Sequence, residues 1–183
     1  ATRVNEDGYI EKGYENLLYG SNTLNDLSYW SKDAIDVPTG GQLGYDGSNN
    51  AWLVNKTSTA NASVINSAPL PIGNVSTLSF YAKSGTANCI DVYLGASTRI
   101  AVNLDTGDTY LLSGNIDFSI TDAGNGYKKI VFTYVSQLST FRFQINNNNA
   151  GGATGSIYLQ NFQINEGMVS YPYVETTTAP VAG

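Results

Sequence analysis

Residues 78–83 read Leu-Ser-Phe-Tyr-Ala-Lys, and this stretch decides the fold class because apolar and polar side chains alternate along it. Residues 90–94 (Ile-Asp-Val-Tyr-Leu) and 141–145 (Phe-Arg-Phe-Gln-Ile) repeat the pattern. Successive side chains of a β-strand point to opposite faces. Each stretch therefore predicts a strand with one face in a core and the other face outside it.

Strand signals of this kind recur along the chain and are separated by turn signals such as Asp46-Gly47, Ser84-Gly85 and Gly124-Asn125-Gly126. The predicted strands cover residues 16–19, 32–37, 51–56, 62–66, 77–83, 88–94, 99–104, 109–112, 116–120, 127–135, 140–145 and 156–164. The pair 99–104 and 109–112, joined through Asp-Thr-Gly-Asp, predicts a hairpin. Many strands without a helical stripe predict an all-β fold, a two-sheet antiparallel β-sandwich of the jelly-roll type.

The ends of the chain differ in composition from the middle. Residues 1–15 are charged and lack a clean period, which predicts an N-terminal arm or connector. Residues 16–175 hold the predicted sandwich, and the small residues of 176–183 predict a C-terminal tail. Residues 146–152 (Asn-Asn-Asn-Asn-Ala-Gly-Gly) predict a flexible loop, with a sugar- or ion-contacting loop as the alternative.

Composition and charge exclude several functions. The net charge is −6 and the isoelectric point is about 4.4, which argues against nucleic acid as a partner. The chain has no histidine, so Ser-His-Asp and Cys-His catalysis and His-ligated metals are excluded. The single cysteine, Cys89, is expected to be a small packed side chain, and no apolar run approaches the ~18 residues that span a membrane.

The polar face of the predicted strands combines tyrosine rings with fixed hydrogen-bonding groups. A sugar stacks its apolar side on an aromatic ring and takes hydrogen bonds on its hydroxyls, so this mixture points to glycan binding. An ordinary exposed face with cross-strand pairs, or a protein–protein contact, remains the alternative. The candidate sugar-binding residues are Tyr81, Lys83, Asp91, Tyr93, Arg142, Gln144 and Tyr158.

A calcium ion is the one cofactor that the residues suggest, and no catalytic pair is expected. Calcium prefers oxygen ligands, and Asn16, Asp26 and Gln160 could supply them if the first and last strands are adjacent; the alternative is that they cap turns. Glycoside hydrolysis needs two carboxylates about 5–9 Å apart, and the acidic residues fall mostly in predicted turns. We therefore expect no enzymatic activity. Trp30 and Trp52 are expected in the core.

Six segments, taken in order, carry a resemblance to a known family. They are residues 16–18 (Asn-Leu-Leu), Trp30, residues 46–52 (Asp-Gly-Ser-Asn-Asn-Ala-Trp), 78–83, 124–127 (Gly-Asn-Gly-Tyr) and 155–167, followed by Ser-Tyr-Pro-Tyr-Val at 170–174. The chain resembles the carbohydrate-binding-module-like jelly-roll domains of tailed-bacteriophage virion proteins (tail fibres, tailspikes and head fibres), which are related to galactose-binding-like modules. In this chain Gln160 stands where such modules often carry an aspartate, and Tyr127 where they usually carry a Trp.

The resemblance implies a non-catalytic glycan-binding module, often with a structural calcium, at a virion surface or in another extracellular setting. Its partners would be a host-surface or environmental polysaccharide and other virion chains, with a homotrimer as one arrangement. Two alternatives stay open: a structural or decoration domain that contacts other proteins, and an accessory module of a polysaccharide-degrading enzyme. A chain that begins at Ala1 rather than Met is compatible with a piece of a longer protein.

Overall fold

The computed structural model describes residues 2–4, 7–8, 10–33, 35–59, 63–146 and 154–182. In chain order the strands are β1 (Thr2–Val4), β2 (Ile10–Lys12), β3 (Glu15–Asn16), β4 (Trp30–Asp33), β5 (Thr39–Gln42), β6 (Ala51–Lys56), β7 (Ser63–Asn66), β8 (Val75–Ser84), β9 (Cys89–Tyr93), β10 (Arg99–Asn103), β11 (Thr109–Ser113), β12 (Ile116–Asp122), β13 (Lys128–Val135), β14 (Phe141–Asn146), β15 (Gly155–Glu166) and β16 (Val181–Ala182). The described residues contain no α-helix, and their one helical element is a 3-10 turn at Gly124–Gly126. No helix in these ranges is long and apolar enough to cross a membrane.

Two six-stranded antiparallel sheets form a sandwich. Sheet I has the order β11-β10-β9-β14-β7-β4, and sheet II has the order β12-β13-β8-β15-β6-β5. The chain changes sheet repeatedly, for example from β7 in sheet I to β8 in sheet II and back to β9 in sheet I. The predicted all-β jelly-roll sandwich is confirmed.

Some predicted elements are confirmed, and others were missed for an identifiable reason. The hairpin is confirmed as β10 and β11, with Val102 opposite Thr109. Strand β5, which reads Thr-Gly-Gly-Gln, was missed because it has no apolar alternation. The short strands β1, β2 and β16 fall in segments predicted as arm and tail, and β16 pairs with β3. The predicted loop at 146–152 lies outside the described residues from position 147 onward.

The C-terminal segment is attached to the sandwich by a buried polar contact. Thr176 is fully buried, and its hydroxyl donates to the carbonyl of Leu18 (2.6 Å). Its backbone N–H donates to the hydroxyl of Ser21 (3.0 Å). Buried polar groups remain favourable when they are hydrogen-bonded, so the residue predicted to begin a tail anchors this segment instead.

The two sheets meet on a cluster of aromatic rings. Phe162 of sheet II lies 5.5 Å from Phe143 and 5.7 Å from Trp30 of sheet I, measured between ring centroids. Phe80 stacks on Phe162 within sheet II at 4.9 Å. All four side chains are fully buried. Trp30 is therefore a core residue as predicted, and Trp52 packs against the same core while remaining partly exposed.

A bulge in β15 sets which side chains of the longest strand face inward. The pairing of β15 with β8 shifts between Gln160 and Gln163, where Asn161 adopts φ 57°. Asparagine tolerates this left-handed conformation better than most residues, and one extra residue reverses the alternation. Ile157 and Leu159 are therefore buried before the bulge, and Phe162 is buried after it. Simple alternation would have turned Phe162 outward.

We expect Phe162→Ala to lower the free energy of unfolding by about 3–5 kcal/mol, because it leaves a cavity between the sheets. Phe118→Ala is the matched control, since Phe118 lies on edge strand β12 and is 45% exposed. The control should lose about 1 kcal/mol or less. Urea unfolding measures both values, and equal losses would contradict the assignment of Phe162 to the inter-sheet core.

Candidate functional site

The predicted sugar-binding residues lie on two outer faces, not on one. Asp91 and Tyr93 lie on β9, and Arg142 and Gln144 on β14, all in sheet I. The other three predicted residues, Tyr81, Lys83 and Tyr158, lie on β8 and β15 in sheet II. The outer faces of a two-layer sandwich point in opposite directions. The prediction of a single gathered face is therefore wrong: alternation shows that a side chain points outward, but not from which sheet.

We name the two groups after their central strands. The β9/β14 face comprises the outward residues Asp91, Tyr93, Arg99, Arg142 and Gln144. The β8/β15 face comprises the outward residues Tyr81, Lys83, Tyr158 and Gln160.

On the β8/β15 face, a loop covers Tyr81. The ring of Tyr45 stacks on the Tyr81 ring with centroids 3.5 Å apart and planes 2° apart. Gln160 holds this loop because its Oε1 accepts a hydrogen bond from the backbone N–H of Tyr45 (3.0 Å) and its Nε2 donates to Asp46 (3.3 Å). Burial, followed by the contact with Tyr45, raises the pKa of Tyr81. The Tyr45 loop, which the sequence analysis did not identify, therefore occupies one side of the Tyr81 ring.

Lys83 lies between two rings on the same face. Its Nζ is 5.0 Å from the ring centroid of Tyr127 and 4.8 Å from that of Tyr158, which are cation–π distances. Tyr127 is 1% exposed and donates its hydroxyl hydrogen to the carbonyl of Leu43 (2.8 Å). Burial raises the pKa of Tyr127 to about 12. Tyr127 is thus a buried structural residue whose ring stabilises the position of the Lys83 ammonium group.

On the β9/β14 face, Tyr93 lies between two arginines. Arg99 on β10 and Arg142 on β14 both stand opposite Tyr93 in the strand register. Their guanidinium carbons lie 4.8 Å and 4.4 Å from the ring centroid. Because β10 and β14 flank β9, the two cations approach the ring from opposite sides. The Tyr93 hydroxyl donates to Gln144 Oε1 (3.0 Å), and burial raises the pKa of Tyr93.

Asp91 is fully buried on this face and accepts hydrogen bonds from two protein side chains. Arg99 Nε donates to Asp91 Oδ1 (2.7 Å), and Arg99 Nη2 pairs with Oδ2. Asn146 Nδ2 also donates to Oδ2 (3.2 Å). The hydrogen bond with Asp91 raises the pKa of Arg99. Asp91 therefore orients Arg99 and, being fully buried, is not accessible to a ligand. Arg99, which the sequence analysis missed, becomes part of the face.

Arg142 differs from Arg99 because no described residue offers its guanidinium group a hydrogen-bond acceptor. Its Nε is buried and without a hydrogen-bond partner, and none of its nitrogens hydrogen-bonds or ion-pairs with a described residue. The side chain as a whole is half-buried and lies at the centre of sheet I. A buried donor without an acceptor is unfavourable, and a ligand acceptor would relieve this.

The three predicted calcium ligands are not brought together. The segments predicted as the first and last strands (16–19 and 156–164) are adjacent, as the prediction required, because Leu17 N–H donates to the carbonyl of Ile164 (2.7 Å). Asn16, however, already bonds four backbone groups through its side chain: it donates to Phe162 and Val174, and it accepts from Leu18 and Ile164.

The other two predicted ligands are engaged elsewhere. Asp26 Oδ1 accepts from Ser28 N–H (2.9 Å), and Gln160 holds the Tyr45 loop. No group of three Asp, Glu, Cys or His residues in the described ranges could hold a metal. Asn16, Asp26 and Gln160 thus serve as hydrogen-bonding residues in three different places, and as a set they do not fit a calcium ion.

Two clefts in the described structure lie away from both faces. One, of about 380 Å³, is lined by residues that include Tyr14, Leu17 and Tyr171. The other, of about 440 Å³, is lined by residues that include Val75 and Met168. The predicted sugar-binding residues therefore lie on the outer sides of the two sheets, partly or fully buried, and do not line a described cleft. The lone cysteine, Cys89, is buried as predicted.

Comparison with known proteins gives similarities of fold only. No family model and no curated protein matches the chain. Among solved structures, the enzymatically active domain of bacteriophage CBA120 tailspike protein 4 has a TM-score of 0.48 and 13% identity, over 82% of this chain and 21% of that chain. This chain thus spans about a fifth of the tailspike chain.

Two smaller proteins match over most of their length. A CBM29-2 variant in complex with cellulohexaose, from a study of family 29 carbohydrate-binding modules, has a TM-score of 0.44 and 11% identity, over 84% of this chain and 89% of that chain. A structure described as CBM4 has a TM-score of 0.46 and 16% identity, over 81% and 97%. At these identities the likeness concerns general architecture.

The buried phenol of Tyr127 predicts a change in stability at alkaline pH. The folded protein retains the phenol proton up to about pH 12, whereas an unfolded tyrosine loses it near pH 10. The contribution of Tyr127 is therefore fully present below pH 10 and is lost as the pH rises toward 12. At pH 8, Tyr127→Phe should cost about 1 kcal/mol because it removes the hydrogen bond to Leu43.

Urea unfolding of both proteins at pH 8, 10 and 11.5 measures this effect. The difference in unfolding free energy between the wild-type protein and Tyr127→Phe should shrink above pH 10, because the phenylalanine cannot ionise. If the difference in unfolding free energy stays constant over this pH range, Tyr127 has the same pKa in the folded and unfolded states, and the prediction is wrong.

Proposed function

We propose that this chain is a non-catalytic glycan-binding module that binds polysaccharide on the β9/β14 face. The observation that carries the proposal is the unbonded guanidinium group of Arg142, which is half-buried on the outer side of sheet I next to Tyr93 and to Gln144, a residue only 4% exposed. Sugar hydroxyls and ring oxygens are acceptors for such donors. Tyr93 holds the arginines and Gln144 in place, so recognition here works through hydrogen bonds more than through stacking on its ring.

The shape of the face suits an extended polymer. One row of outward positions crosses all six strands of sheet I: Ser31, Ile65, Arg142, Tyr93, Arg99 and Ser113. Five strand spacings make this row about 24 Å long. A polysaccharide lying along the row would contact Arg142 near the middle and short polar side chains at both ends.

The same face lacks the groups that glycoside hydrolysis requires. That reaction uses two carboxylates about 5–9 Å apart, one of them able to exchange a proton with the substrate. Among the five residues of the β9/β14 face Asp91 is the one carboxylate, and it is buried and bound to Arg99. The other acid in an outward row of sheet I, Asp33, lies on β4, two strands from β14. Binding without cleavage is therefore the chemistry that this face supports.

The resemblance in sequence supports a finer proposal about where the module acts. We infer a place on the surface of a tailed-phage virion, in a fibre or receptor-binding protein that adheres to host-surface or environmental polysaccharide. An open face with few direct contacts binds weakly, at millimolar to micromolar dissociation constants. Display of several copies on one virion would raise the effective affinity without further contacts.

A glycan array of host-surface and environmental polysaccharides, followed by calorimetry, tests the proposal. We expect Arg142→Met and Gln144→Ala each to weaken binding about tenfold or more, because each removes a donor that faces the ligand. Lys83→Met and Tyr158→Ala, on the opposite face, should leave the affinity unchanged. Absence of binding to every glycan would defeat the proposal, and loss of binding only in the opposite-face variants would move the site to the β8/β15 face.

A second function, contact with another protein, is favoured by an apolar cluster at one end of the sandwich. Val75 and Val135 pair across β8 and β13 and are 39% and 48% exposed. Met168, which is 72% exposed, lines the same cleft. Contiguous exposed apolar groups of this kind often mark interfaces.

Light scattering at increasing protein concentration tests this second function. If the cluster is an interface between copies of the chain, as in a trimeric fibre, the mass should rise to a defined oligomer. Met168→Glu should then return the protein to the monomer, while Phe118→Ser, an exposed apolar residue on edge strand β12, should not. A monomer at every concentration would exclude self-association through the cluster.

A further inference from the structure

Arg99 and Arg142 form a natural comparison within one sheet. Both stand opposite Tyr93, and both lie against its ring at similar distances of 4.8 Å and 4.4 Å. Arg99 directs its Nε and Nη2 to the two oxygens of the Asp91 carboxylate. Arg142 has the same fork of donors, but no carboxylate in the described part of the chain pairs with it.

The charge of Arg142 also has no oppositely charged partner among the residues that the structure describes. Its neighbours across the two adjacent strands are Tyr93 and Ile65, and the outward residue two positions along β14 is Gln144; all three are neutral. Asp91 is already bound by Arg99 and Asn146. Asp33, the next acid in an outward row of this sheet, lies on β4, two strands from β14, which is about 10 Å in strand spacing.

The kind of acceptor that fits Arg142 follows from guanidinium chemistry. A carboxylate offers two coplanar oxygens that match the Nε and Nη donors in a bidentate pair, as Asp91 does for Arg99. A sugar hydroxyl offers one oxygen and no charge. Of these two acceptors, the carboxylate alone would both satisfy the buried Nε and neutralise the cation.

We infer that the polysaccharide bound by the β9/β14 face is acidic, and that Arg142 binds the carboxylate of a uronic or related sugar acid. This inference rests on the proposed glycan-binding function. Gln144 adds specificity, because its Oε1 is fixed by the Tyr93 hydroxyl (3.0 Å) and its Nε2 has no acceptor among the described residues. The amide nitrogen then donates to a ring hydroxyl next to the carboxylate.

The direct test compares acidic polymers with their uncharged esters. Polygalacturonate and alginate are titrated into the protein, each beside its fully methyl-esterified form, which keeps the backbone and removes the charge. We expect at least one acid to bind about tenfold or more tightly than its ester, which is the range for a charge-assisted hydrogen bond. Raising the salt concentration should weaken binding of the acid and leave that of the ester unchanged.

Three variants assign the effect to Arg142. Arg142→Gln should abolish the preference for the acid, and Arg142→Lys should restore only part of it, because lysine keeps the charge and loses the fork. Lys129→Gln is the matched control: it removes one positive charge from the outer side of sheet II, opposite Tyr81. The control should keep the full preference.

Nuclear magnetic resonance gives a readout that does not depend on affinity for a polymer. The chain has three arginines, Arg3, Arg99 and Arg142, so their Nε–H signals are few and can be assigned by substitution. Adding monomeric galacturonate should shift the Arg142 signal and leave the Arg99 signal, which Asp91 holds, in place. Galactose, which has no carboxylate, should shift the Arg142 signal less than galacturonate does, and it should also leave the Arg99 signal in place.

The outcomes separate the inference from the function on which it rests. Equal binding of acids and esters, or binding of neutral glycans alone, overturns the acidic preference while the glycan-binding function stands. Absence of binding to acidic, esterified and neutral glycans overturns both. A preference for acids that survives in Arg142→Gln also overturns the inference, because it places the carboxylate against another residue.

Discussion

Aromatic packing between the sheets is the interaction on which the other features depend. Phe162 and Phe80 of sheet II meet Phe143 and Trp30 of sheet I in a fully buried cluster. Because these rings fill the interior, the alternate positions of the same strands must point away from it. Polar residues next to Phe143 and Phe80 in the sequence therefore appear on opposite sides of the molecule.

Each outer face uses cations and rings to stabilise its side chains. Tyr93 lies between two arginines on sheet I, and Lys83 lies between two tyrosines on sheet II. Long cationic side chains lose rotamer freedom when they bind, and a ring that already holds them reduces this loss. The faces differ in what remains available: the Tyr45 loop covers Tyr81, whereas Arg142 keeps unbonded donors.

The sequence alone was sufficient to predict the fold class and which side chains point away from the core. It was not sufficient to predict which of these side chains lie next to one another. The stretches at 78–83, 90–94 and 141–145 predicted strands β8, β9 and β14 correctly. Strand order is set by contacts between distant segments, so the sequence could not show that β9 pairs with β14 while β8 pairs with β15. Arg99 was missed for the same reason, since its role depends on standing opposite Tyr93.

Local conformation explains the remaining differences. The left-handed Asn161 reverses the alternation inside β15, and no pattern of apolar residues reveals one inserted position. Asn16 and Gln160 have the oxygens that calcium prefers, and the segments predicted as the first and last strands are adjacent as expected. Their amides nevertheless bond separate backbone groups, because an amide can satisfy donors and acceptors that a carboxylate would leave unpaired.

The charge distribution explains how an acidic protein can present a positive site. The chain carries a net charge of −6, which repels an acidic polymer at long range. At physiological salt this repulsion is screened beyond about 8 Å, whereas a pair in direct contact on a partly buried surface is screened much less. Asp91 neutralises the charge of Arg99 while fixing its position. The positive charge of the β9/β14 face therefore comes from Arg142. If Arg142 binds a sugar acid as proposed, the attraction is confined to the contact itself, and several copies would have to bind one polymer together for tight attachment.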